Sequence, residues 1–551
     1  MRQDLEAAIA AVCKELFKHD IAVALTRPDE QFGEYATNVA LQLSKQVGQN
    51  PRQIAQAITE ALVHPAILST DIAGPGFLNI RLTDTALNAL AAEATSRSLE
   101  GQTIVAEYSD PNPFKVLHAG HLYTSVVGDA IANLLEAAGA NVHRVNFGGD
   151  VGLHVGKTMY VILQRLGGEE PAGLEAVPVD ERAEWLASAY VEGTNVYEDQ
   201  KGAKEEIIRL NKRVYQLHSE GDHESAFAHI YWTTRQWSYD YFDSFYARIG
   251  SKFEKYYPES ETAEIGLQTV RAHIGDVFTE SDGAIVFKGE DFGLHTRVFI
   301  NREGIPTYES KDVGLIMKKK QDYDFDRSVV ITGNEQEQYM AVVLKAIEQF
   351  APELARATTH LTHGIVKLAG GVKMSSRKGN ILRAIDVIDA AHRANRDLSG
   401  NENEQTTLAA VKYAFLKNRI GGDIIYDPAE SVALEGNSGP YLQYAHARAR
   451  SILRKAEPVN GELVDLEEGE RSLLRKIGEF SEVIDRATNE LMPHHLCTYL
   501  YELAQTFNRF YEQNRVIDDP RQTIRLKLVS LYADRLKQGL SLLGISAPEQ
   551  M

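Results

Sequence analysis

Cysteine is nearly absent, with only Cys13 and Cys497 in 551 residues. Two thiols so far apart exclude a disulfide framework and a local metal knuckle, so no protein-held metal is expected. Both read as buried thiols in a reducing compartment. Long apolar runs are also missing: none approaches the roughly 20 residues that span a bilayer. The opening Met-Arg-Gln-Asp-Leu-Glu leads into an amphipathic helix without a signal-peptide core. A cytoplasmic protein with no membrane partner is expected. Positive charge is in deficit, with 58 basic against 77 acidic residues and a net charge of −19. This excludes nucleic-acid binding by bulk charge but leaves room for a local basic face. Repeats and low-complexity tracts are lacking. What remains, 44% hydrophobic and 25% charged, is ordinary for a globular chain of several domains.

Residues 1–98 read as a small α/β unit. Leu5, Ile9, Val12 and Leu16 recur at helical spacing, and Asn50-Pro51 opens a helix containing Ile54, Ile58 and Leu62. Gly74-Pro75-Gly76 then turns into an alternating strand at 77–82. After a linker at 98–102 come a strand at 103–107, a helix over about 119–138 closed by Gly139, and a strand at 142–147. A βαβ unit of this length requires a parallel sheet. Residues 165–205 are acidic and read as a loop-rich insertion, and 205–250 as helical, with Trp232 and Trp237 in the core. Paired strands are expected at 284–300, then a strand at 328–332 and a helix ending near Phe350. Beyond 430 strands stop, and 438–456, 467–487, 492–513 and 520–544 read as a helical bundle.

Two segments carry candidate chemistry. His118-Ala119-Gly120-His121 stands at a helix mouth, where free N–H groups attract phosphate. Imidazoles three positions apart share a face, and Gly120 lets a nucleotide approach the backbone. They suit stabilisation of charge during attack at an α-phosphorus. Alone, the pattern fits two capping histidines equally well. Lys373-Met374-Ser375-Ser376-Arg377-Lys378-Gly379-Asn380 alternates cations with hydroxyls. Such a loop can fold over a triphosphate and neutralise pyrophosphate, although alone it also describes a solvated basic loop.

Together, and in this order, the two segments resemble the His-Ile-Gly-His and Lys-Met-Ser-Lys-Ser signatures of class I aminoacyl-tRNA synthetases. The flanks resemble the arginyl-tRNA synthetase family: Glu107-Tyr-Ser-Asp-Pro-Asn112, Gly-Gly-Asp150-Val-Gly, Pro306-Thr-Tyr308-Glu-Ser-Lys-Asp312, and Asn437-Ser-Gly-Pro-Tyr441-Leu-Gln-Tyr444-Ala-His446-Ala-Arg448. Gly33-Glu-Tyr-Ala-Thr-Asn38, Gly74-Pro-Gly-Phe77 and the closing Pro-Glu-Gln-Met551 extend the likeness over essentially the whole chain.

This resemblance implies an α/β fold with a Rossmann-like, doubly wound parallel catalytic sheet at 99–365, interrupted by an insertion at about 165–255. It also implies an N-terminal α/β, tRNA-contacting domain at 1–98, a signature-loop and stem-contact region at 366–430, and an all-α anticodon-binding bundle at 431–551. ATP, with Mg²⁺ on its phosphates, is expected between the two motifs at the sheet's carboxyl edge. The resemblance puts His118, Gly120, His121, Lys373 and Met374 against the nucleotide, and Ser375, Ser376 and Arg377 with the catalytic groups. Glu107, Asn112, Tyr308, Asp312 and Gln336 are expected around L-arginine. A guanidinium is flat, permanently charged and rich in donors, so carboxylates beside a flat wall suit it. The resemblance further implies that tRNA(Arg) must bind before arginine is activated efficiently.

The chain departs from the family pattern in places. Ser376 stands at the second signature lysine, and Lys115, just before the histidine motif, is proposed to contact the phosphates instead; an exposed turn lysine is the rival reading. Val151 and His154 replace a usual Trp and Gln, and Tyr339 a usual His. For tRNA, 437–455 contains no acidic residue and holds Tyr441, Tyr444, Arg448, Arg450 and Arg454, types that bind phosphate and stack on unpaired bases. Asn38 and Met551 join them by resemblance, and Lys318-Lys319-Lys320 reads as a second basic spot. A monomer is expected. The rival functions are a class I synthetase of another specificity, a simple nucleotidyltransferase and a non-catalytic tRNA-binding paralogue. The distant cysteines disfavour the cysteine enzyme, the C-terminal helices a simple nucleotidyltransferase, and the intact His118, His121 and Lys373 the paralogue.

Overall fold

The computed structural model describes residues 1–369, 382–400, 402–457 and 463–551. Its centre is an all-parallel sheet in the spatial order Thr358–His363, Arg327–Gly333, Thr103–Glu107, Asn141–Gly148, Lys255–Pro258. Numbered along the chain this is 5-4-1-2-3, so winding reverses between the strands that end at Glu107 and Gly333. Such a reversal opens a crevice at the carboxyl edge, where ligands of doubly wound sheets bind. Both faces of the central strands are covered, which requires apolar runs: Ile104, Val105 and Ala106, and Val329, Val330 and Ile331, are all buried.

Helix Ala119–Ala137 crosses from the first strand to the second and is buried on nearly every side. Gly128 lets it lie against the ring of Tyr108, since a Cβ there would come within 2.1 Å of Tyr108 Cγ. Tyr108 in turn donates to Asp129 at 2.7 Å. The expected strand pair at 284–300 is Ala284–Phe287 against Arg297–Ile300, antiparallel.

The insertion differs from expectation. Residues 165–205 are mostly helical rather than loop: after two short 3₁₀ turns come Arg182–Asp199 and Lys201–Glu220. Both pack on helix Leu153–Leu166 at glycines. A Cβ on Gly193 would sit 2.2 Å from the Lys157 carbonyl oxygen, and one on Gly156 2.8 Å from that of Ile207. In the next helix, Ala226–Ile249, Trp237 is buried and Trp232 half-buried.

The N-terminal unit has an antiparallel sheet, Tyr35–Thr37, Phe77–Leu82 and Ile67–Ala73, under helices Arg2–Phe17, Val39–Val47 and Pro51–Ala61. After residue 438 come helices Gly439–Leu453, Glu468–Ile477, Phe480–Glu490, His494–Gln513 and Gln522–Leu542. The single helix expected at 467–487 is broken at Gly478, a weak helix former that lies against Leu90. Arginines fasten the two ends of the chain together. Arg27 donates to Glu482 at 2.7 Å, and Arg471 to Glu34 at 3.0 Å and Asp84 at 2.6 Å. Arg535 donates to the carbonyls of Ala91 at 2.8 Å and Glu93 at 2.9 Å. Cys13 and Cys497 are buried and free. Among the described residues no helix is long and apolar enough to cross a membrane.

Candidate active site

The chain leaves the reversal point through a loop that carries three left-handed non-glycine residues, Ser109 (φ 74°), Asp110 (φ 51°) and Phe114 (φ 67°). Each costs on the order of 1 kcal/mol, so the surroundings must impose them. Asp110 accepts the N–H of Phe147 at 2.8 Å, and the Phe114 N–H donates to Ser238 Oγ at 2.9 Å.

The loop delivers His118 as the N-cap of helix Ala119–Ala137. Its Nδ1 accepts the N–H of Gly120 at 3.1 Å, and its own N–H donates to His121 Nδ1 at 3.1 Å. The two rings stack with centroids 3.7 Å apart. Because both Nδ1 atoms accept, each neutral ring carries its proton on Nε2. Burial, then Lys115 and His363, lower His118 to about 4. Burial, then His118 and Lys115, hold His121 well below its ordinary range. At neutral pH the helix mouth therefore presents two uncharged donors, a fitting cradle for phosphate oxygens. Lys115 is half-buried, not an exposed turn lysine. Its ammonium lies 4.8 Å from the ring centroid of Tyr190, and burial lowers its pKa, opposed by Glu259.

Lys373, Met374, Ser375, Ser376 and Arg377 lie outside the described residues, but the chain on either side is placed. Val366–Leu368 pairs with Ile424–Tyr426, and the Ala369 N–H donates to the Tyr426 carbonyl at 2.9 Å. Beyond the signature segment, Ala119 N–H donates to the Leu382 carbonyl at 2.8 Å and Ala384 N–H to that of Leu117 at 2.8 Å. The described chain resumes beside His118.

The acidic side is more heavily paired than its residue types suggest. Glu107, at the end of its strand, accepts from Lys319, and both are buried. The carboxylate expected beside L-arginine is therefore half of a buried ion pair. The expected basic spot at 318–320 is likewise corrected. Lys319 is internal, Lys318 pairs with Asp322 at 2.6 Å and Lys320 with Asp324 at 2.7 Å. Tyr308 and Asp312 are on helix Tyr308–Tyr323. Asp312 is buried and accepts from the Tyr339 hydroxyl. Burial raises it to about 7 against that hydrogen bond, with Glu107 and Glu259 adding to the rise. Tyr308 is 59% exposed. Gln336 is exposed at the start of helix Glu337–Phe350.

Asn112 Oδ1 accepts the Gly149 N–H at 2.7 Å. Here the structure brings in a residue that sequence reasoning missed. A Cβ on Gly149 would lie 2.9 Å from both Asn112 Oδ1 and Glu259 Oε1, so these groups converge on one glycine. Glu259 opens helix Glu259–Ala272 and is paired with Lys311 at 2.6 Å, both buried. A proline at 258 and a serine at 260 mark a helix start, but no spacing singled out the glutamate. His154 Nε2 donates to the Gly149 carbonyl at 2.8 Å, and burial, then Lys115, lower it to about 3. Asp150, with no exposure, accepts from Ser260 and Arg235 and holds the turn in place.

On the bundle, Tyr444 is 46% exposed, and Arg448 lies 4.5 Å over the Tyr511 ring. Tyr441 accepts from Asn508 at 2.9 Å and meets Tyr501 edge-on at 5.9 Å. Tyr501, Asn508 and Tyr511 belong to helix His494–Gln513, and the sequence reading did not associate them with this face. Arg450 and Arg454 do not stand free as expected. Arg450 pairs with Glu549 at 2.7 Å and Arg454 donates to the Glu549 carbonyl at 2.9 Å. Both hold the final residues against helix Gly439–Leu453. Met551 is 52% exposed. Asn38 is exposed on the N-terminal unit, where its Oδ1 accepts from Gln42 at 2.8 Å.

Comparison with known proteins finds matches over the full length of the chain. The family described as tRNA synthetases class I (R), catalytic domain, matches residues 85–427. The Arginyl tRNA synthetase N terminal domain matches 1–82 and the DALR anticodon binding domain 442–551. An arginine–tRNA ligase of Aliivibrio fischeri is 32% identical over 95% of this chain and 94% of its own. One from Porphyromonas gingivalis is 28% identical over 100% and 99%. The arginyl-tRNA synthetase structure from Thermus thermophilus superposes with a TM-score of 0.82 at 25% identity, covering both chains completely. That from Plasmodium falciparum, at 22% identity and a TM-score of 0.80 over 100% and 99% of the two chains, shares the fold. The chain belongs to the arginyl branch of the class I aminoacyl-tRNA synthetases.

Proposed function

We infer that the chain is an arginine–tRNA ligase that activates L-arginine with MgATP and transfers it to the terminal adenosine of tRNA(Arg) in cytoplasmic translation. The observation that supports this reading is the uncharged histidine cradle at the mouth of the helix that follows the strand ending at Glu107, whose carboxylate forms a buried charged cluster with Lys319 and Asp312.

In the first step an oxygen of the arginine carboxylate bonds to the α-phosphorus, and the bond to the pyrophosphate oxygen breaks. His118 and His121 donate from Nε2 to the phosphate oxygens as their charge grows, with Lys115 supplying a fixed positive charge in place of the signature lysine that Ser376 replaces. Mg²⁺ arrives as part of the nucleotide substrate. Asp312 receives the guanidinium beside Tyr308. Asn112 and Glu259, convergent on Gly149, suit the α-ammonium. Lys373, Met374, Ser375, Ser376 and Arg377 cover the departing pyrophosphate, and Gln336 closes the amino-acid side. In the second step the 2′-hydroxyl oxygen of the tRNA attacks the activated carbonyl and AMP leaves. The enzyme's contribution is mainly positioning and electrostatics.

The Tyr441, Tyr444 and Arg448 face, joined by Tyr501 and Tyr511, receives unpaired anticodon bases. Asn38 and Met551 lie at the edges of the tRNA path, and the enzyme works as a monomer. Amino-acid-dependent ATP–pyrophosphate exchange, with and without tRNA, tests the reading. Exchange with arginine and tRNA is expected. Exchange with a different amino acid rejects the specificity, and tRNA binding without any exchange favours a non-catalytic paralogue.

A further inference from the structure

Two lysines of the site each meet a tyrosine from the insertion. Lys311 donates to the Tyr215 hydroxyl at 3.2 Å, in addition to its pair with Glu259. Lys115 has no ion pair or hydrogen bond among the described residues, and its partner is the ring of Tyr190, 4.8 Å away. Tyr190 sits on helix Arg182–Asp199, which is locked onto helix Leu153–Leu166 through Gly193. Helix Leu153–Leu166 starts beside the Gly149-Asp150 turn at the sheet's carboxyl edge. A salt bridge from Glu184 to Arg383, 3.0 Å, ties the same insertion helix to the chain beside His118. The ring of Tyr190 is therefore fixed with respect to the phosphate cradle.

The choice of partner matters. A carboxylate would hold a lysine firmly but cancel the charge that phosphate needs. An aromatic face attracts the ammonium, restricts its rotamers and leaves its charge and three donors available.

We propose that Tyr190 is a positioning residue for adenylate formation, its ring holding the Lys115 ammonium unneutralised and aimed at the triphosphate. The proposal rests on reading Lys115 as a phosphate contact. It also assigns the insertion a task in catalysis beyond connecting two strands.

Pyrophosphate exchange under saturating tRNA, with ATP and arginine varied separately, tests it on the full-length enzyme. Tyr190→Leu is expected to raise the KM for ATP about fivefold, the weight of one cation–π contact, and to leave that for arginine within twofold. Tyr190→Phe, which keeps the ring, restores the ATP value to within twofold of wild type. In a Lys115→Ala background Tyr190→Leu adds nothing further. Tyr190→Gln serves where Tyr190→Leu does not fold. A purely structural tyrosine would lower the active fraction and the melting temperature without splitting the two KM values, which overturns the proposal. Equal Tyr190→Leu effects with and without Lys115 also overturn it. If Lys115→Ala raises the ATP KM but Tyr190→Leu does not, only the present inference falls. If Lys115→Ala itself is silent, the phosphate reading of Lys115 falls and takes the inference with it.

Discussion

An imidazole buried next to another imidazole and a lysine gives up its charge before anything else. His118 and His121 are then donors whose orientation, set by their own helix's backbone, matters more than their titration. His121→Ala is expected to lower kcat for adenylation by about 10²–10³, as for loss of one preorganised donor, with tRNA affinity within twofold. Single-turnover adenylation and a tRNA-binding titration measure the two sides. Asp312 is the reverse case, because its substrate is a permanent cation and binds the ionised carboxylate. The free carboxyl sits at about 7, so arginine binding must displace a proton below that pH. Arginine kcat/KM should therefore rise with pH through 7 and fall by roughly tenfold per unit well below it, one proton being released. Tyr339→Phe removes the hydrogen bond that favours the ionised form, and should shift the inflection to higher pH. A flat profile from pH 5.5 to 8 would mean that Asp312 does not meet the guanidinium. Glu107, Asn112, Tyr308 and Asp312 were named only through the resemblance of their flanking segments to the family, not from local spacing. The pairing of Glu107 with Lys319 was legible in neither, because the two are brought together only by the sheet, 212 positions apart in sequence.

At the scale of elements, periodicity revealed what is buried on one clear face. The strand at 103–107, the helix after His118 and the strand at 328–332 all announced themselves by apolar spacing. Lys255–Pro258 did not, since four residues, Lys-Tyr-Tyr-Pro, are too few to show alternation. The insertion misled for a different reason. Residues 165–205 are acidic and polar, so their composition resembled loop, while the contacts that order the two helices include backbone approaches at Gly156 and Gly193. Gly193→Ala tests this directly. The new methyl meets a rigid carbonyl rather than a side chain that can swing away, so a destabilisation of about 1–3 kcal/mol is expected, read from urea denaturation. Because the same helix carries Tyr190, the KM for ATP should rise as well.

At the scale of the whole molecule, the N-terminal unit and the terminal bundle form one fastened body. Glu34 is almost fully buried and Arg471 little exposed. Arg471→Ala would strand Glu34 beneath the interface, and a loss of roughly 3 kcal/mol is expected, visible as a lower denaturation midpoint and as faster proteolytic release of residues 1–98. None of this fastening was legible locally, because an arginine on a bundle helix looks the same whether it faces water, RNA or a distant carboxylate. The same ambiguity applies to Arg450 and Arg454, read from sequence as RNA-facing, which also secure the last few residues.

The belt between the chain's ends also sets an order of events during synthesis. Glu34 and Arg471 are 437 residues apart, and at about 5–20 residues per second a ribosome needs about 20–90 s to cover that distance. Through that interval the carboxylates of Glu34 and Asp84 are without their arginine partner. Closure of the belt is thus a late event, and a nascent chain stalled before residue 471 would leave Glu34 and Asp84 without the arginine that pairs them.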